Sequence, residues 1–211
     1  MRTNKSRLFR LKVWGENACF TRPEMKVERV SYDVMTPSAA RGILEAILWK
    51  PAIRWQVERI DVLKPIRWES VRRNEVACVM STRTRQQFIE DQRQQRAGLL
   101  LRDVAYTIHA FFRLTELAAP EENIVKFQEM FLRRAEQGQS FHCPYLGCRE
   151  FAAHFQLIPW GAPTPTPICE SKELGYMLHE ISYAEKSPTP HFFRAYLNQG
   201  SLRIPALGVP S

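Results

Sequence analysis

Two predicted helices, each with predicted strands on both sides, constrain the fold of this chain more than any other feature. The first helix lies in "TPSAARGILEAILW", residues 36–49, where Thr36 can cap the N-terminus and Pro37 suits the first helical position. Its apolar residues recur on one face, and Pro51 ends it. The apolar face consists of Ala40, Ile43, Leu44, Ile47 and Leu48.

The second helix is predicted in "PEENIVKFQEMFLRRAEQG", residues 120–138. Pro120 and the acids that follow suit a helix start, and Gly138 follows a basic end, as the helix dipole favours. The residues predicted to face inward are Ile124, Phe127, Met130 and Phe131.

Apolar and β-branched patterns predict four strands around these helices, at residues 7–14, 52–64, 104–114 and 148–158. The order strand, helix, strand, strand, helix, strand is typical of a ferredoxin-like (RRM-like) domain. The sequence therefore predicts an α+β protein whose first domain covers residues 1–158.

A Pro-rich segment, "PWGAPTPTPICES", follows this domain and cannot form regular structure. Three further strands are predicted beyond it, at residues 175–183, 191–198 and 201–207. We interpret residues 159–211 as a second domain, a small C-terminal antiparallel β-sheet.

The formal net charge of +8, from 30 Lys and Arg against 22 Asp and Glu, indicates a polyanionic partner. Arg dominates, and Arg binds phosphate in a bidentate manner and stacks on bases. Residues 65–103 carry eight Arg and no Lys, and we predict a basic hairpin insertion there. An ordinary basic protein without a nucleic-acid partner is the alternative.

Several classes of protein do not fit the sequence. No apolar stretch approaches the roughly 20 residues of a membrane span, and the first 20 residues lack the apolar core of a signal peptide. The five Cys are scattered, which fits a reducing cytoplasm, so we expect a cytoplasmic protein. No glycine-rich phosphate-binding motif is present.

The stretch "FHCPYLGCRE", residues 141–150, permits three interpretations. A zinc site would use His142, Cys143 and Cys148, but a second pair of ligands is missing nearby. A Cys nucleophile would need a His within reach, which sequence cannot show. The spacing favours small buried thiols that flank a turn made by Pro144 and Gly147.

Basic residues beside aromatic ones recur along the chain, as in "ILWKPAIRW" and "FFRAY". Such pairs on a sheet either stack bases and hold phosphates or pack in the core. Trp49 and Lys50, at the end of the first helix, are predicted to be exposed. Lys126 on the second helix is able to stabilise a pentavalent phosphate, or it lies on a solvated helix rim.

Four blocks of the sequence resemble, in order, the d-type family of CRISPR-associated protein five, subtype I-C, within the repeat-associated RNA-binding superfamily. The first is "KVWGENACFTRPEMKVERVSYDVMTPSAARGILEAILWKPAIRW". The others are "VLKPIRWESVRRNEV", "GQSFHCPYLGCREF", and "ELGYMLHEISY" followed by "FFRAYLNQGSLRIP". The resemblance covers almost the whole chain.

This resemblance implies an endoribonuclease that needs neither metal nor cofactor and cuts CRISPR precursor RNA within the repeat hairpin. A ribose 2′-hydroxyl attacks the adjacent phosphorus and leaves a 2′,3′-cyclic phosphate. The family then stays on the 5′ handle of the guide as a subunit of the type I-C interference complex. The alternatives are a non-catalytic RNA-binding subunit that caps the handle and a non-specific binder of duplex DNA.

The sequence departs from the family pattern at two catalytic positions. A Tyr before W-K-P and a His after the helix Lys are expected, but Leu48 and Phe127 stand there. We therefore expect Lys126 to stabilise the phosphorane and His142 or Tyr145 to transfer protons, with Tyr32 and His109 as further candidates. The residues expected to bind RNA are Trp49, Lys50, Arg72, Arg73, Arg83, Arg85, Arg133, Arg134 and Arg149.

Overall fold

The computed structural model describes residues 4–25, 27–78, 88–182 and 187–206, and this part of the chain contains eight strands and three helices. The strands are β1 (Phe9–Ala18), β2 (Ile53–Val62), β3 (Trp68–Val76), β4 (Arg93–Leu114), β5 (His154–Ile158), β6 (Lys172–Ser182), β7 (Thr189–Asn198) and β8 (Ser201–Arg203). The helices are α1 (Pro37–Ile47), α2 (Ile89–Gln92) and α3 (Ile124–Glu136).

All eight strands belong to one antiparallel sheet. The strand order is β5-β1-β4-β2-β8-β7-β6, and β3 pairs with the first half of β4. The long strand β4 lies between β1 and β2 over its second half. The protein is therefore a mixed architecture with a large antiparallel sheet and few helices, and the α+β prediction is confirmed at this level.

Both long helices begin at side chains that cap them. The Thr36 hydroxyl accepts a hydrogen bond from the Ala39 N–H (3.3 Å), as predicted for α1. The Asn123 side chain accepts one from the Lys126 N–H (2.9 Å). Because Asn123 caps α3, this helix starts four residues later than the predicted Pro120. None of the helices in the described ranges is long and apolar enough to cross a membrane.

The core lies between the sheet and the two long helices. Phe131 of α3 packs against Trp55 of β2 (4.7 Å between ring centroids) and Phe9 of β1 (4.8 Å). Burial of each side chain of this size contributes about 1.5–3 kcal/mol. The predicted inward face of α3 is confirmed, because Phe127 and Phe131 are buried in the core and Ile124 and Met130 are half-buried against the core.

Two of the predicted strands have different bounds in the structure. β4 starts at Arg93 rather than at residue 104, because β3 pairs with residues 93–101 and forms a hairpin within the predicted insertion. β5 starts at His154 rather than at residue 148, because the preceding residues form a turn closed by a bridge between Tyr145 and Ala152. The predicted insertion includes Arg83 and Arg85, which lie outside the described residues.

The three C-terminal strands are not a separate sheet, which corrects the prediction. β8 pairs with residues 59–61 of β2, and β7 pairs with β8, so the C-terminal strands extend the main sheet. The predicted domain boundary between residues 158 and 159 stays a prediction.

A buried ionic cluster holds β2, β4 and β8 together. The Asp61 carboxylate lies 2.7 Å from His109 Nε2, 2.7 Å from Ser201 Oγ and 3.0 Å from Arg59 Nε. Burial favours the neutral acid, but hydrogen bonds from His109 and Ser201 and the nearby positive charges outweigh burial, so the pKa of Asp61 lies below its ordinary value. His109, a candidate for proton transfer, is thus hydrogen-bonded to Asp61 within the sheet and is only 3% exposed.

Candidate functional site

The loop after α3 is fixed to the C-terminal end of α1. The Phe141 N–H donates to the Ala46 carbonyl (2.7 Å), and Arg134 Nη1 donates to the Ile47 carbonyl (3.0 Å). These bonds satisfy carbonyl groups that have no partner within the helix. The structure therefore brings the loop and the residues after α1 into one region, and it gives Arg134 a structural contact in addition to its predicted role in RNA binding.

His142 and Tyr145 lie side by side in this loop. Their ring centroids are 6.3 Å apart and the ring planes differ by 28°. His142 is exposed and Tyr145 is half-buried, and His142 Nδ1 lies 3.2 Å from the Cys143 carbonyl oxygen. An imidazole is able to accept or donate a proton near neutral pH. The two predicted proton-transfer residues thus occupy neighbouring, accessible positions.

Lys126 lies in the first turn of α3, at the other end of the helix from this loop. Its ammonium is 3.6 Å from Glu122 Oε1 and 5.6 Å from the centre of the Phe127 ring, and its side chain is 51% exposed. Glu136 lies ten positions after Lys126, which corresponds to about 15 Å along the helix. The structure shows no contact between Lys126 and the side chains of His142 or Tyr145, so it does not bring the three predicted catalytic residues together.

Leu48 and Phe127, where the family resemblance implied a Tyr and a His, are core residues. Leu48 is 0% exposed and Phe127 is 1% exposed. Tyr32, a further candidate for proton transfer, is also buried, and its hydroxyl accepts a hydrogen bond from the Leu178 N–H (3.2 Å). None of these three side chains can reach a surface substrate in this structure.

The residues after Leu48 are accessible, as predicted. Trp49 is 60% exposed, and Lys50 is exposed beside it. An exposed Trp next to a cation is suited to stack on a base while the cation contacts a phosphate. Trp49 and Lys50 therefore border the loop as candidate RNA contacts.

The described arginines of the predicted RNA-binding set differ in how available they are. Arg73 Nη1 lies 2.6 Å from both carboxylate oxygens of Glu150, and Arg29 binds the same carboxylate at 3.0 Å. Arg72, Arg133 and Arg149 are exposed. Sequence reasoning missed the pairing of Arg73 with Glu150 because the two residues are far apart along the chain and no local pattern joins them.

The two cysteines of "FHCPYLGCRE" have different surroundings. Cys143 is exposed, which corrects the prediction of a buried thiol, and Cys148 Sγ lies 3.5 Å from the Cys19 carbonyl oxygen. A hydrogen bond from the Cys19 thiol, against the effect of burial, lowers the pKa of Cys148 to about 6. A nucleophile would need a His base, and no described His hydrogen-bonds Cys148. Within the described ranges, no three His, Cys, Asp or Glu side chains are grouped so that they could hold a metal ion.

Gly147 shapes the loop because its φ of 85° is strained for other residues and a side chain would collide with the Cys19 carbonyl. We expect Gly147→Ala to lower the free energy of unfolding by at least about 2 kcal/mol. Gly138→Ala is the matched control, since Gly138 has a φ of 65° but no neighbour within 4 Å. Urea denaturation measures both variants, and equal losses would contradict the role of the Cys19 contact.

The chain matches a known protein family over nearly its whole length. The family Cas_Cas5d, described as CRISPR-associated protein (Cas_Cas5), matches residues 8–205. A protein of Mannheimia succiniciproducens named CRISPR pre-crRNA endoribonuclease Cas5d is 53% identical over 212 residues, or 93% of this chain and 94% of that protein. A protein of the same name from Thermus thermophilus is 44% identical, over 93% of this chain and 91% of that protein.

Solved structures share the fold. A chain described as "Crystal Structure of CRISPR-associated Protein" has a TM-score of 0.73 at 24% identity and covers 96% of this chain and 93% of that chain. The functionally uncharacterized protein SMU1763c from Streptococcus mutans has a TM-score of 0.71 at 20% identity, over 96% and 94%. A chain of a "CRISPR RNA-guided surveillance complex" has a TM-score of 0.51 at 12% identity, over 93% and 88%.

Proposed function

This chain belongs to the Cas5d family of CRISPR-associated proteins, and on that premise we propose that it is an endoribonuclease that cleaves CRISPR precursor RNA within the repeat hairpin. The observation that carries the proposal is the similarity of almost the whole chain to two proteins named pre-crRNA endoribonuclease. The positive net charge of +8 agrees with an RNA substrate.

The chemistry we propose uses the 2′-hydroxyl of the RNA as the nucleophile. Its oxygen attacks the adjacent phosphorus, the bond from phosphorus to the 5′-oxygen breaks, and a 2′,3′-cyclic phosphate and a 5′-hydroxyl result. The reaction needs a base for the 2′-hydroxyl proton, an acid for the leaving oxygen and a cation beside the phosphorane. Each proton transfer contributes about 10²–10⁴-fold in rate.

We assign these roles to Lys126 in the first turn of α3 and to His142 and Tyr145 in the loop after this helix, and catalysis requires that RNA binding bring the three side chains to the same phosphate. Lys126 is exposed and positively charged, and we assign to it the stabilisation of the phosphorane. His142 and Tyr145 are the neighbouring accessible groups that can transfer protons. Leu48 and Phe127 are buried and apolar, so those two positions supply no group for proton transfer.

After cleavage, the protein stays on the 5′ handle as a subunit of the type I-C interference complex in this proposal. Trp49, Lys50, Arg72, Arg133 and Arg149 support RNA binding through their exposure. The scattered cysteines support a cytoplasmic location.

We further infer that the N-terminal part has the ferredoxin-like fold and that a domain boundary lies near residue 158. Supporting this, β1, α1 and β2 are followed by β4, α3 and β5, and the four strands lie in the order β5-β1-β4-β2. The two strands of each strand–helix–strand unit thus lie on either side of one strand of the other unit, which is typical of this fold.

A non-catalytic RNA-binding subunit is the second candidate function, and the burial of Leu48 and Phe127 favours it. Such a subunit caps the 5′ handle, with non-specific binding of duplex DNA as an accompanying activity. It predicts tight binding of the repeat RNA without products. Competition between repeat RNA and unrelated duplex DNA at physiological salt measures the specificity.

Cleavage of a labelled repeat transcript in excess EDTA tests the proposed function. We expect cutting to persist in EDTA and to leave a 2′,3′-cyclic phosphate, because the nucleophile is the sugar hydroxyl itself. A transcript with one 2′-deoxy nucleotide at the cut site is the matched control and should stay intact. Cutting of the deoxy transcript at the same place would exclude this mechanism, and intact RNA in both cases would favour the second candidate.

A further inference from the structure

Two cavities, which we call the β2–β8 groove, lie along β2 and β8. Their volumes are about 390 and 560 Å³. Glu58 and Ile204 line the first cavity, and the next residues along the chain, Arg59 and Arg203, line the second. Seven described cations line the groove, against the carboxylates of Glu58 and Glu180, so the groove selects an anion. The cations are Lys5, Arg41, Arg54, Arg113, Arg59, Arg194 and Arg203.

Like charges face each other across the strands of this groove. Arg54 of β2 lies opposite Arg113 of β4, and Lys5 forms an isolated bridge with Arg113 from the other side. Arg59 of β2 lies opposite Arg203 of β8. Like charges directly opposite each other destabilise a sheet. Such an arrangement is explained when a negatively charged ligand binds between them.

The protein itself neutralises only part of this charge. Glu180 lies 3.0 Å from Arg54, and Asp61 lies 3.0 Å from Arg59. The other three cations of these cross-strand contacts form no ion pair with a carboxylate in the described part of the chain. They are Lys5, Arg113 and Arg203, and they remain available to a ligand.

Aromatic side chains complete the groove. Lys5 Nζ and the Arg113 guanidinium lie 3.6 and 5.7 Å from the centre of the Phe111 ring, which holds both cations in place. Tyr196 lines the second cavity and is 54% exposed. An exposed ring beside arginines is typical of sites for unpaired nucleic acid, where bases stack on the ring and arginines bind phosphates.

Arg113 and Arg203 lie on the face of the sheet opposite to α3, and Pro37 and Arg41 of α1 also line the first cavity. Along β4, Phe111 and Arg113 alternate with the buried core residue Phe112, and along β8 Arg203 follows the buried Leu202. Successive side chains of a strand point to opposite faces, so these cations lie on the face that is not covered by α3. His142, Tyr145 and Lys126 line neither cavity, so the groove is a different site from theirs.

We propose that the β2–β8 groove binds an unpaired stretch of RNA that flanks the repeat hairpin. Arg113 and Arg203 hold its phosphates, and Tyr196 stacks on one of its bases. The inference rests on the proposed function in its choice of RNA as the ligand. An acidic partner protein would neutralise the groove cations, but it would not explain why Tyr196 is exposed beside them.

The test compares a hairpin that carries its unpaired flank with the bare hairpin, both with a 2′-deoxy nucleotide at the cut site. We expect the double variant Arg113→Ala/Arg203→Ala to weaken binding of the flanked hairpin by at least about 10-fold and to reduce its salt dependence, since each phosphate contact contributes about 0.7 to the slope. Tyr196→Leu should weaken it by about 5- to 100-fold. The bare hairpin should bind within about 2-fold of the wild type.

Arg102→Ala is the control for loss of charge, because Arg102 is an exposed arginine of β4 that lines neither cavity. Equal weakening of both RNAs, or no more weakening than in this control, would overturn the proposal. Unchanged RNA binding with loss of assembly into the interference complex would identify a protein-docking groove and would also overturn it. Both RNAs carry a 2′-deoxy nucleotide at the cut site and are not cleaved. The binding measurements therefore test the groove even if the protein proves not to be a nuclease.

Discussion

Replacement of Lys126 by alanine is expected to slow RNA cleavage by about 10²–10³-fold, the usual cost of removing one group that stabilises charge in a transition state. The reason is that the phosphorane carries more negative charge on its non-bridging oxygens than the ground-state phosphate. Single-turnover rates at saturating protein measure the effect. The affinity for an RNA with a 2′-deoxy nucleotide at the cut site should stay within a few-fold, since one of several cationic contacts is lost.

Lys64→Ala is the matched control for this prediction. The Lys64 side chain is 43% exposed and forms an ion pair with Asp103, much as Lys126 is 51% exposed and pairs with Glu122. Cleavage by the Lys64 variant should match that of the wild type. Undiminished cleavage by the Lys126 variant would remove this residue from the mechanism, and equal slowing of both variants would indicate a general charge effect.

Replacement of Asp61 by alanine is expected to lower the free energy of unfolding by about 3–5 kcal/mol, as is typical when one partner of a buried ion pair is removed. The carboxylate is 1% exposed and contacts His109, Ser201 and Arg59. Its loss leaves the buried donor His109, the Ser201 hydroxyl and the half-exposed Arg59 guanidinium without their acceptor. Urea denaturation measures the loss. Glu173→Ala is the control, because Glu173 pairs with Arg194 at the surface and exposed pairs contribute little.

The Asp61 carboxylate also makes the free energy of unfolding depend on pH. The pKa of Asp61 is lower in the folded protein than in the unfolded chain, where it is about 3.9. Asp61 therefore contributes stability above that pH and loses its contribution as the pH falls through the folded pKa. The wild type should lose more stability than Asp61→Asn between about pH 5 and 2. Parallel losses in both proteins would contradict this assignment.

The helices could be predicted from the sequence because their signals are local. Thr36 and Pro37 at the start of α1, and the spacing of Phe127 and Phe131 in α3, lie within a few residues of one another. The start of β4 could not be predicted in the same way. Residues 93–98 are mostly polar and exposed, so they lack the apolar alternation of a half-buried strand.

The sites depend on contacts that are distant along the chain. The exposure of Trp49 could be predicted from its place before Pro51, since a helix ends there. The position of Arg134 under the end of α1 could not, because it requires the relative placement of two helices. The groove cations Lys5, Arg113 and Arg203 come from three segments, and only the strand register places Arg113 and Arg203 beside β2 and Lys5 beside Arg113.

The pairing of β8 with β2 also affects how the protein is made. Ser201 binds Asp61 across 140 residues of sequence, and β8 is the link between β2 and the strands β7 and β6. During synthesis, β2 leaves the ribosome long before β8 has been made. The edge of β2 that pairs with β8 therefore stays unpaired until nearly the whole polypeptide has been synthesised. Contacts of such long range slow folding, and an unpaired edge is prone to aggregation. The nascent chain therefore passes through a vulnerable interval that ends only when β8 emerges.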